Sequence, residues 1–190
     1  MGLRSWVRFG NSTPEERAAE YPCDKYLQAP AKAYLRAIDV KAGPALAFRW
    51  LCQLSVAPYS YDLLDNRGHR SPRELTPGAD GLKVGDEFLV CRIGDIEPGR
   101  HISGVASPEV ERVFGPIALT YAVVPVADGS SRIVVKMLLG TRGRLGGLKR
   151  AALVFGDAIM MRKQLTTLRD LAERDERRSP SHPSLPLPEP

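Results

Sequence analysis

The chain of 190 residues has few cysteines, few aromatic residues and no long apolar segment. Its three cysteines, Cys23, Cys52 and Cys91, are odd in number and form no CxxC pair. A disulfide framework is therefore not expected, and a reducing compartment fits best. No segment approaches the roughly 18 consecutive apolar residues of a membrane span, and the first residues lack the apolar core of a signal peptide. These absences predict a cytoplasmic protein without stable membrane insertion.

The sequence also lacks the motifs by which common enzyme classes are recognised. It contains no GxSxG elbow, no Walker A loop, no HExxH pair and no dinucleotide fingerprint. The histidines, His69, His101 and His182, have no metal-ligand spacing with one another or with the cysteines. We therefore expect no metal and no cofactor, and the catalytic residues, if any, are unknown at this stage.

The charge composition argues against nucleic acid as a partner. The chain carries 27 basic and 22 acidic residues, for a net charge of +5. A nucleic-acid surface would gather its basic residues on one face with aromatic residues among them, whereas here they are scattered among the acids. The length suits one well-buried core.

Proline and glycine patterns divide the chain into three predicted parts. Residues 1–30 are interpreted as an N-terminal extension, in which Thr13-Pro-Glu-Glu16 is a helix-start signature. Residues 31–177 form the predicted folded body. Residues 178–190 are rich in proline, which predicts a disordered or polyproline tail.

The order of elements within the body indicates an α+β fold. A strand is predicted at Ala33–Lys41, followed by a helix that opens at Gly43-Pro44 and stops at Pro58. A second short helix is then predicted at 60–64. The segments that follow are predicted as strands, over 70–75, 87–96, 100–106, 110–126 and 132–139. The fourth of these strands is expected to bend at Gly115-Pro116. A final helix is predicted over 148–177.

This order, a strand, two short helices, antiparallel strands and a long helix, is that of a helix-grip fold. In such a fold a curved antiparallel sheet wraps around the long C-terminal helix and leaves a cavity between them. On the last strand, Ile133, Val135, Met137 and Leu139 share the face that we expect to point inward. The first half of the final helix is apolar over a broad arc, so we expect that half to bound the cavity.

Ten residues are candidates for contact with a ligand in this cavity. The aromatic residues would supply apolar area and hydroxyl groups, although plain core packing explains them equally well. The two arginines would need a carboxylate if they face inward, and would otherwise lie in solvent. The candidates are Trp50, Tyr59, Tyr61, Asp62, Arg92, Arg112, Tyr121, Met137, Phe155 and Ile159. His101 is a further candidate as a general acid or base, or simply a surface histidine beside a turn.

Five segments carry a resemblance to a known superfamily. They are Trp50-Leu-Cys-Gln-Leu54, Ala57-Pro-Tyr-Ser-Tyr-Asp62, the stretches 66–73 and 82–88, and the helical stretch 156–165. On these segments the chain resembles the START-like (SRPBCC) superfamily, in its polyketide cyclase/dehydrase-like branch. The resemblance spans about residues 33–175 and implies the helix-grip fold. It does not select a function, because the superfamily includes carriers, receptors, cyclases and hydrolases.

Two functions from different classes follow from these expectations. The first is the binding of a hydrophobic small molecule, polyketide-like, aromatic or lipid, in the internal cavity. The alternative is a polyketide cyclase or aromatase-type enzyme, which needs a base of near-neutral pKa and an oxyanion donor in a dry interior. No such pair is evident in the sequence, so binding is favoured and enzymatic activity stays open. A third possibility is an interaction module that uses the tail or the helix end. The sequence does not indicate an oligomeric state.

Overall fold

A computed structural model describes residues 3–27, 31–61, 70–140 and 147–178, and the side chains of these residues except at 3–5 and 147–154. The described helices are α1 Leu3–Phe9, α2 Pro14–Ala18, α3 Pro44–Cys52, α4 Pro108–Phe114 and α5 Gly147–Arg178. The described strands are β1 Ala31–Val40, β2 Glu87–Phe88, β3 Cys91–Glu97, β4 His101–Ala106, β5 Ile117–Pro125 and β6 Ser131–Gly140. Two short 3₁₀ turns lie at Pro22–Lys25 and Gln53–Ser55.

The strands form one curved antiparallel sheet in the order β1-β6-β5-β4-β3-β2. β1 and β6 pair over their whole length, from Ala31 opposite Gly140 to Val40 opposite Ser131. A register shift between Ile93 and Asp95 interrupts the pairing of β3 with β4. Helix α5 packs against β1 and α3. The predicted helix-grip α+β fold is confirmed.

The apolar face of β6 points into the core, as its alternation predicts. Ile133 and Val135 are fully buried in the main hydrophobic cluster, and Met137 packs against it. On the opposite face, Lys136 is only 8% exposed. A lysine at this depth needs a partner, because an isolated buried charge is costly.

The N-terminal extension supplies that partner and covers the outer face of the sheet. Lys136 Nζ lies 2.8 Å from Asp24 Oδ2, in the turn Pro22–Lys25. The neighbouring Cys23 is completely buried, and its backbone N–H donates to Thr120 Oγ1 at 2.9 Å. Both faces of the central strands are therefore covered by other parts of the chain.

The helix-start signature in the extension is also confirmed. The Glu16 N–H donates to Thr13 Oγ1, and the Thr13 N–H donates to Glu16 Oε2 at 2.7 Å, which completes a capping box. Glu16 then pairs through its carboxylate with Arg132 on β6. Helix α1, which the sequence analysis does not predict, lies against β1 and α5.

The expected strand over 110–114 is wrong, because residues Pro108–Phe114 form helix α4. Ser107 accepts a hydrogen bond from the Val110 N–H, and Pro108 occupies the first turn, where its missing N–H has no cost. Gly115, at φ 84°, ends the helix in a conformation that favours glycine. Three apolar side chains here follow the helical spacing i, i+3, i+4 rather than alternation: Val110, Val113 and Phe114.

Two other strand predictions need correction. Residues 70–75 form irregular structure with a bend at 73 and 74 instead of a strand, consistent with Pro72 in their middle. The segment 87–96 is divided into β2 and β3 by a tight turn at Leu89 and Val90. Most of the short helix predicted at 60–64 lies outside the described residues.

Candidate functional site

A cavity of about 600 Å³ lies between the sheet, helix α5 and the segment that follows α3. This volume falls within the range of about 300–1,000 Å³ that is typical of small-molecule pockets. The sheet contributes the side chains of Leu119, Tyr121, Val135, Met137 and Leu139 from β5 and β6. These are the inward-facing positions of paired strands, since Leu119 is opposite Met137 and Tyr121 is opposite Val135.

Helix α5 forms the opposite wall with four side chains on one of its faces. They are Asp157, Met160, Met161 and Gln164, at the spacing i, i+3, i+4, i+7 of a single helical stripe. Together with Met137 from the sheet, three of the four methionines of the chain line the cavity. Methionine walls adapt to ligands of varied shape, because the side chain is unbranched and polarizable.

The rim of the cavity is apolar and partly in solvent. Val56 follows α3, Val90 lies in the β2–β3 turn, and Phe114 ends α4. All three line the cavity, yet they are 44%, 50% and 36% exposed. These side chains thus border the cavity and the solvent at once, as expected at an entrance for an apolar molecule.

Two of the rim segments hold non-glycine residues in the left-handed backbone region. Tyr59 has φ 53° and Leu89 has φ 55°, and no other described non-glycine residue has a positive φ. Leu89 lines the cavity, and Tyr59 lies between the lining residues Pro58 and Ser60. Such conformations cost about 1–2 kcal/mol each and concentrate at ligand-contacting segments.

Two polar side chains that line the cavity from different elements are hydrogen-bonded to each other. The Tyr121 hydroxyl donates to Gln164 Oε1 at 2.6 Å, and Gln164 Nε2 donates to the Pro58 carbonyl oxygen at 2.7 Å. This chain of bonds links β5, α5 and the segment after α3. Burial raises the pKa of Tyr121 well above its usual value, and the nearby Asp157 adds to this rise. The hydroxyl therefore stays protonated and its proton is committed to Gln164.

Asp157 is the most unusual polar group of the cavity. Its Oδ2 atom is buried and has no hydrogen-bond partner among the described residues. Burial raises the pKa of Asp157 to about 6, although the positive charge of Arg36 acts in the opposite direction. Arg36 itself is 6% exposed, and its guanidinium donates to the carbonyl oxygens of Leu35 and Val7. The carboxyl of Asp157 therefore lies in a low-dielectric wall with its own hydrogen bonding incomplete.

The predicted ligand residues are distributed between this cavity and other places. Tyr121 and Met137 line it. Trp50 and Tyr59 pack edge to face with ring centroids 6.1 Å apart, in the core beside α3. The Trp50 indole N–H donates to Asp175 Oδ2 at 3.1 Å, and so joins α3 to the far end of α5.

The other predicted residues do not line the cavity where the structure describes them. Arg92 and Arg112 are exposed on β3 and α4. Tyr61, Phe155 and Ile159 are exposed by 41%, 42% and 37%. Asp62 lies outside the described residues. A ligand role for any of the ten stays a prediction, since no ligand is bound.

His101 also lies away from the cavity, at the start of β4. Its Nε2 and Nδ1 atoms are 3.6 Å from Asp95 and 3.7 Å from Glu97. The three cysteines are buried, and burial raises the pKa of Cys23 to about 11 and of Cys52 and Cys91 to about 12. Such thiols are poor nucleophiles, because the reactive thiolate form is disfavoured.

Sequence reasoning missed Asp157 and Gln164. The signal that would have found them is the stripe 157, 160, 161, 164, in which two polar residues share the face of two core methionines. A polar residue on the buried face of a helix needs either a partner or a ligand. Gln164 has its partners in Tyr121 and Pro58, whereas Asp157 Oδ2 has none within the described part of the chain.

Among the described residues, no helix is both long enough and apolar enough to cross a membrane. The same residues contain no group of three or more His, Cys, Asp or Glu side chains placed to hold a metal ion.

Comparison with known proteins finds similarity only at the level of structure. No protein-family model matches the sequence, and no curated protein matches it significantly. Protein MLL2253 from Mesorhizobium loti matches with a TM-score of 0.48 and 16% identity, over 75% of this chain and 97% of that one. The polyketide-cyclase-like protein Cgl2372 from Corynebacterium glutamicum matches with a TM-score of 0.44 and 13% identity, over 82% of this chain and 100% of that one.

A third match is the di-domain ARO/CYC protein StfQ of the steffimycin biosynthetic pathway, with a TM-score of 0.48 and 11% identity. It covers 76% of this chain and 51% of the StfQ chain. The similarity is too low to carry over any activity or ligand.

Proposed function

We propose that the protein binds a hydrophobic small molecule, polyketide-like, aromatic or lipid, in the cavity between the sheet and helix α5. The observation that carries this proposal is the cavity itself, about 600 Å³ in volume and walled mainly by aliphatic and methionine side chains. Each buried CH₂ group of a ligand would contribute about 0.8 kcal/mol. A wall of this kind therefore favours an apolar body over a polar one.

The test blocks the cavity from one position of α5 and uses the next position as the control. Met160 lines the cavity, whereas the adjacent Ile159 is exposed and does not. Met160→Trp should weaken binding of the neutral fluorescent probe N-phenyl-1-naphthylamine by about tenfold or more, because the indole occupies ligand space. Ile159→Trp should leave the affinity within about twofold.

Equal affinities in the two variants, with both correctly folded by circular dichroism, would contradict binding in this cavity. Native mass spectrometry of the protein as purified adds an independent readout. A co-purified small molecule should be present in wild type and depleted in Met160→Trp.

An enzymatic role is the second candidate, and Asp157 is the observation that favours it. A carboxyl whose pKa is raised to about 6 by burial is better matched to proton transfer at neutral pH than an ordinary aspartate. A cyclase also needs a donor for the developing oxyanion. The Tyr121 proton is already committed to Gln164, so binding stays the preferred function. Turnover of a linear poly-ketone mimic, followed by aromatic absorbance and lost in Asp157→Asn, would establish the enzyme instead.

A further inference from the structure

The charged side chains that line the cavity, among the described residues, are both acidic. They are Asp157 and Glu87, and no lysine, arginine or histidine lines it in the same part of the chain. This is notable in a chain of net charge +5 with 27 basic residues. Two acidic side chains in the described lining favour a cationic ligand over an anionic one, and low-dielectric walls strengthen this preference.

The hydrogen-bonding groups of the cavity point to the same conclusion. An ionised carboxylate only accepts hydrogen bonds. The Tyr121 hydroxyl uses its single proton on Gln164 Oε1, so its oxygen has acceptor capacity left and no donor. Gln164 Nε2 donates to the Pro58 carbonyl. Gln164 Nε2 keeps a second N–H, but the acceptors with free capacity include Asp157 Oδ2 and the Tyr121 oxygen. A ligand that brings donors therefore complements this part of the wall.

Asp157 marks the position of the strongest acceptor. Its Oδ2 atom is buried and accepts no hydrogen bond from the described residues. The positive charge of Arg36 on β1 acts on it, but the Arg36 guanidinium donates to the carbonyl oxygens of Leu35 and Val7 and makes no ion pair with Asp157. An ionised, incompletely bonded carboxylate is costly in such a wall unless a ligand supplies a charged donor.

We propose that the cavity selects an apolar molecule that carries a protonated amine, with the ammonium group bound to Asp157. This inference rests on the proposed function and deepens it, because it names the polar end of the ligand. The amine N–H groups would donate to the Asp157 carboxylate, and the Tyr121 hydroxyl oxygen remains available as a second acceptor. The apolar body would lie along the methionine stripe of α5 and the strands β5 and β6.

The test compares three probes with the same chain and different ends: decylamine, decanol and decanoate. Binding to the full-length protein is measured by calorimetry at about pH 8, where the amine is protonated and Asp157 is ionised. Decylamine should bind at least about tenfold more tightly than decanoate, with decanol between them, since a charge-assisted hydrogen bond is stronger than a neutral one.

The variant Asp157→Asn keeps the shape and removes the charge. It should lower the decylamine affinity by about tenfold or more and change the decanol affinity by less than about threefold. Asp170→Asn, the same substitution at an exposed site of the same helix, should change neither. Glu87→Gln should have a smaller effect than Asp157→Asn, because Glu87 is exposed at the rim.

The outcomes separate this inference from the proposed function. If all three probes bind equally, or if decanoate binds most tightly, the cavity binds apolar molecules but the amine selectivity is wrong. An unchanged decylamine affinity in Asp157→Asn would also overturn it. If none of the probes binds, and N-phenyl-1-naphthylamine does not bind either, the proposed function itself fails.

Discussion

At the scale of single residues, the fold tolerates charged side chains inside by giving most of them local partners. Lys136 has Asp24 at 2.8 Å, and Arg132 has Glu16 and Asp39. Asp157 differs, because Arg36 influences it without an ion pair and its Oδ2 atom accepts no hydrogen bond from the described residues. Native proteins keep such groups mostly where function requires them.

The first prediction concerns the dependence of stability on pH. Folding raises the pKa of Asp157 from the usual 3.8 to about 6. The protonated carboxyl is thus favoured in the folded state, and its contribution to stability is fully present below about pH 4 and lost as the pH rises through about 6. Asparagine cannot ionise and avoids this loss. The stability of Asp157→Asn relative to wild type should therefore increase by about 1–2 kcal/mol between pH 5 and pH 8.

Urea unfolding of both proteins at the two pH values measures this difference directly. Asp170→Asn serves as the control, because Asp170 is exposed and beside Arg169. A relative stability of Asp157→Asn that falls as the pH rises would show that the carboxylate is stabilised in the folded state, contrary to the burial described above.

At the scale of elements, the N-terminal extension forms an outer layer of the sheet. Cys23 packs with Ala118 and Leu138 in a second hydrophobic cluster on that face. The Tyr26 ring lies against Gly94, where a Cβ atom would be only 2.7 Å from the tyrosine oxygen. Only glycine accommodates this approach. The N-terminal extension therefore packs closely on the outer face of the sheet.

A second prediction follows for the two ends of the chain. Removal of residues 1–27 would uncover Ala118 and Leu138 and leave Lys136 without Asp24, so we expect a loss of at least about 3 kcal/mol in unfolding free energy. Truncation after Arg178 should change the melting temperature by no more than about two degrees, since proline lacks the backbone N–H that pairing with the core would need. Residues 179–190 lie outside the described residues.

Differential scanning calorimetry of the two truncated chains beside the full chain gives both values. If the N-terminal truncation aggregates, Asp24→Ala tests the same contact in the intact chain. An N-terminal truncation as stable as the full chain would show that the outer layer contributes nothing to stability.

The elements that sequence patterns predicted well are those whose apolar period extends over many residues. β1, β6 and α5 fall near their predicted bounds because alternation or helical spacing is sustained along each of them, and β5 matches the part of its predicted strand that follows Gly115-Pro116. Helix α4 was misread, since seven residues with two valines also fit a strand. Its true signal is the local capping pattern of Ser107 and Pro108.

The candidate site was less predictable for a physical reason. Packing between elements that are distant in sequence decides which side of the core a large aromatic residue faces. Trp50 was expected beside the ligand, but its indole bonds to Asp175 at the other end of α5. The sequence signal for Asp157 and Gln164 is that they share one helical stripe with Met160 and Met161. This signal appears only when the four positions are considered together.

At the scale of the whole molecule, helix α5 takes part both in the main hydrophobic core and in the wall of the cavity. The far half of α5 packs in the main core through Leu165, Leu168, Leu171 and Ala172. Its first half faces the cavity through the stripe that contains Asp157 and Met160. The second half of α5 thus packs in the core, while the stripe from Asp157 to Gln164 lines the cavity.

The most direct test of ligand binding in this cavity uses the methionine methyl groups. Met137, Met160 and Met161 line the cavity from opposite walls. In the methyl NMR spectrum of protein labelled with ¹³C-methyl methionine, a saturating apolar amine such as decylamine should shift all three signals, each assigned by substitution to leucine. Binding that leaves all three signals unmoved would place the ligand elsewhere and contradict the account.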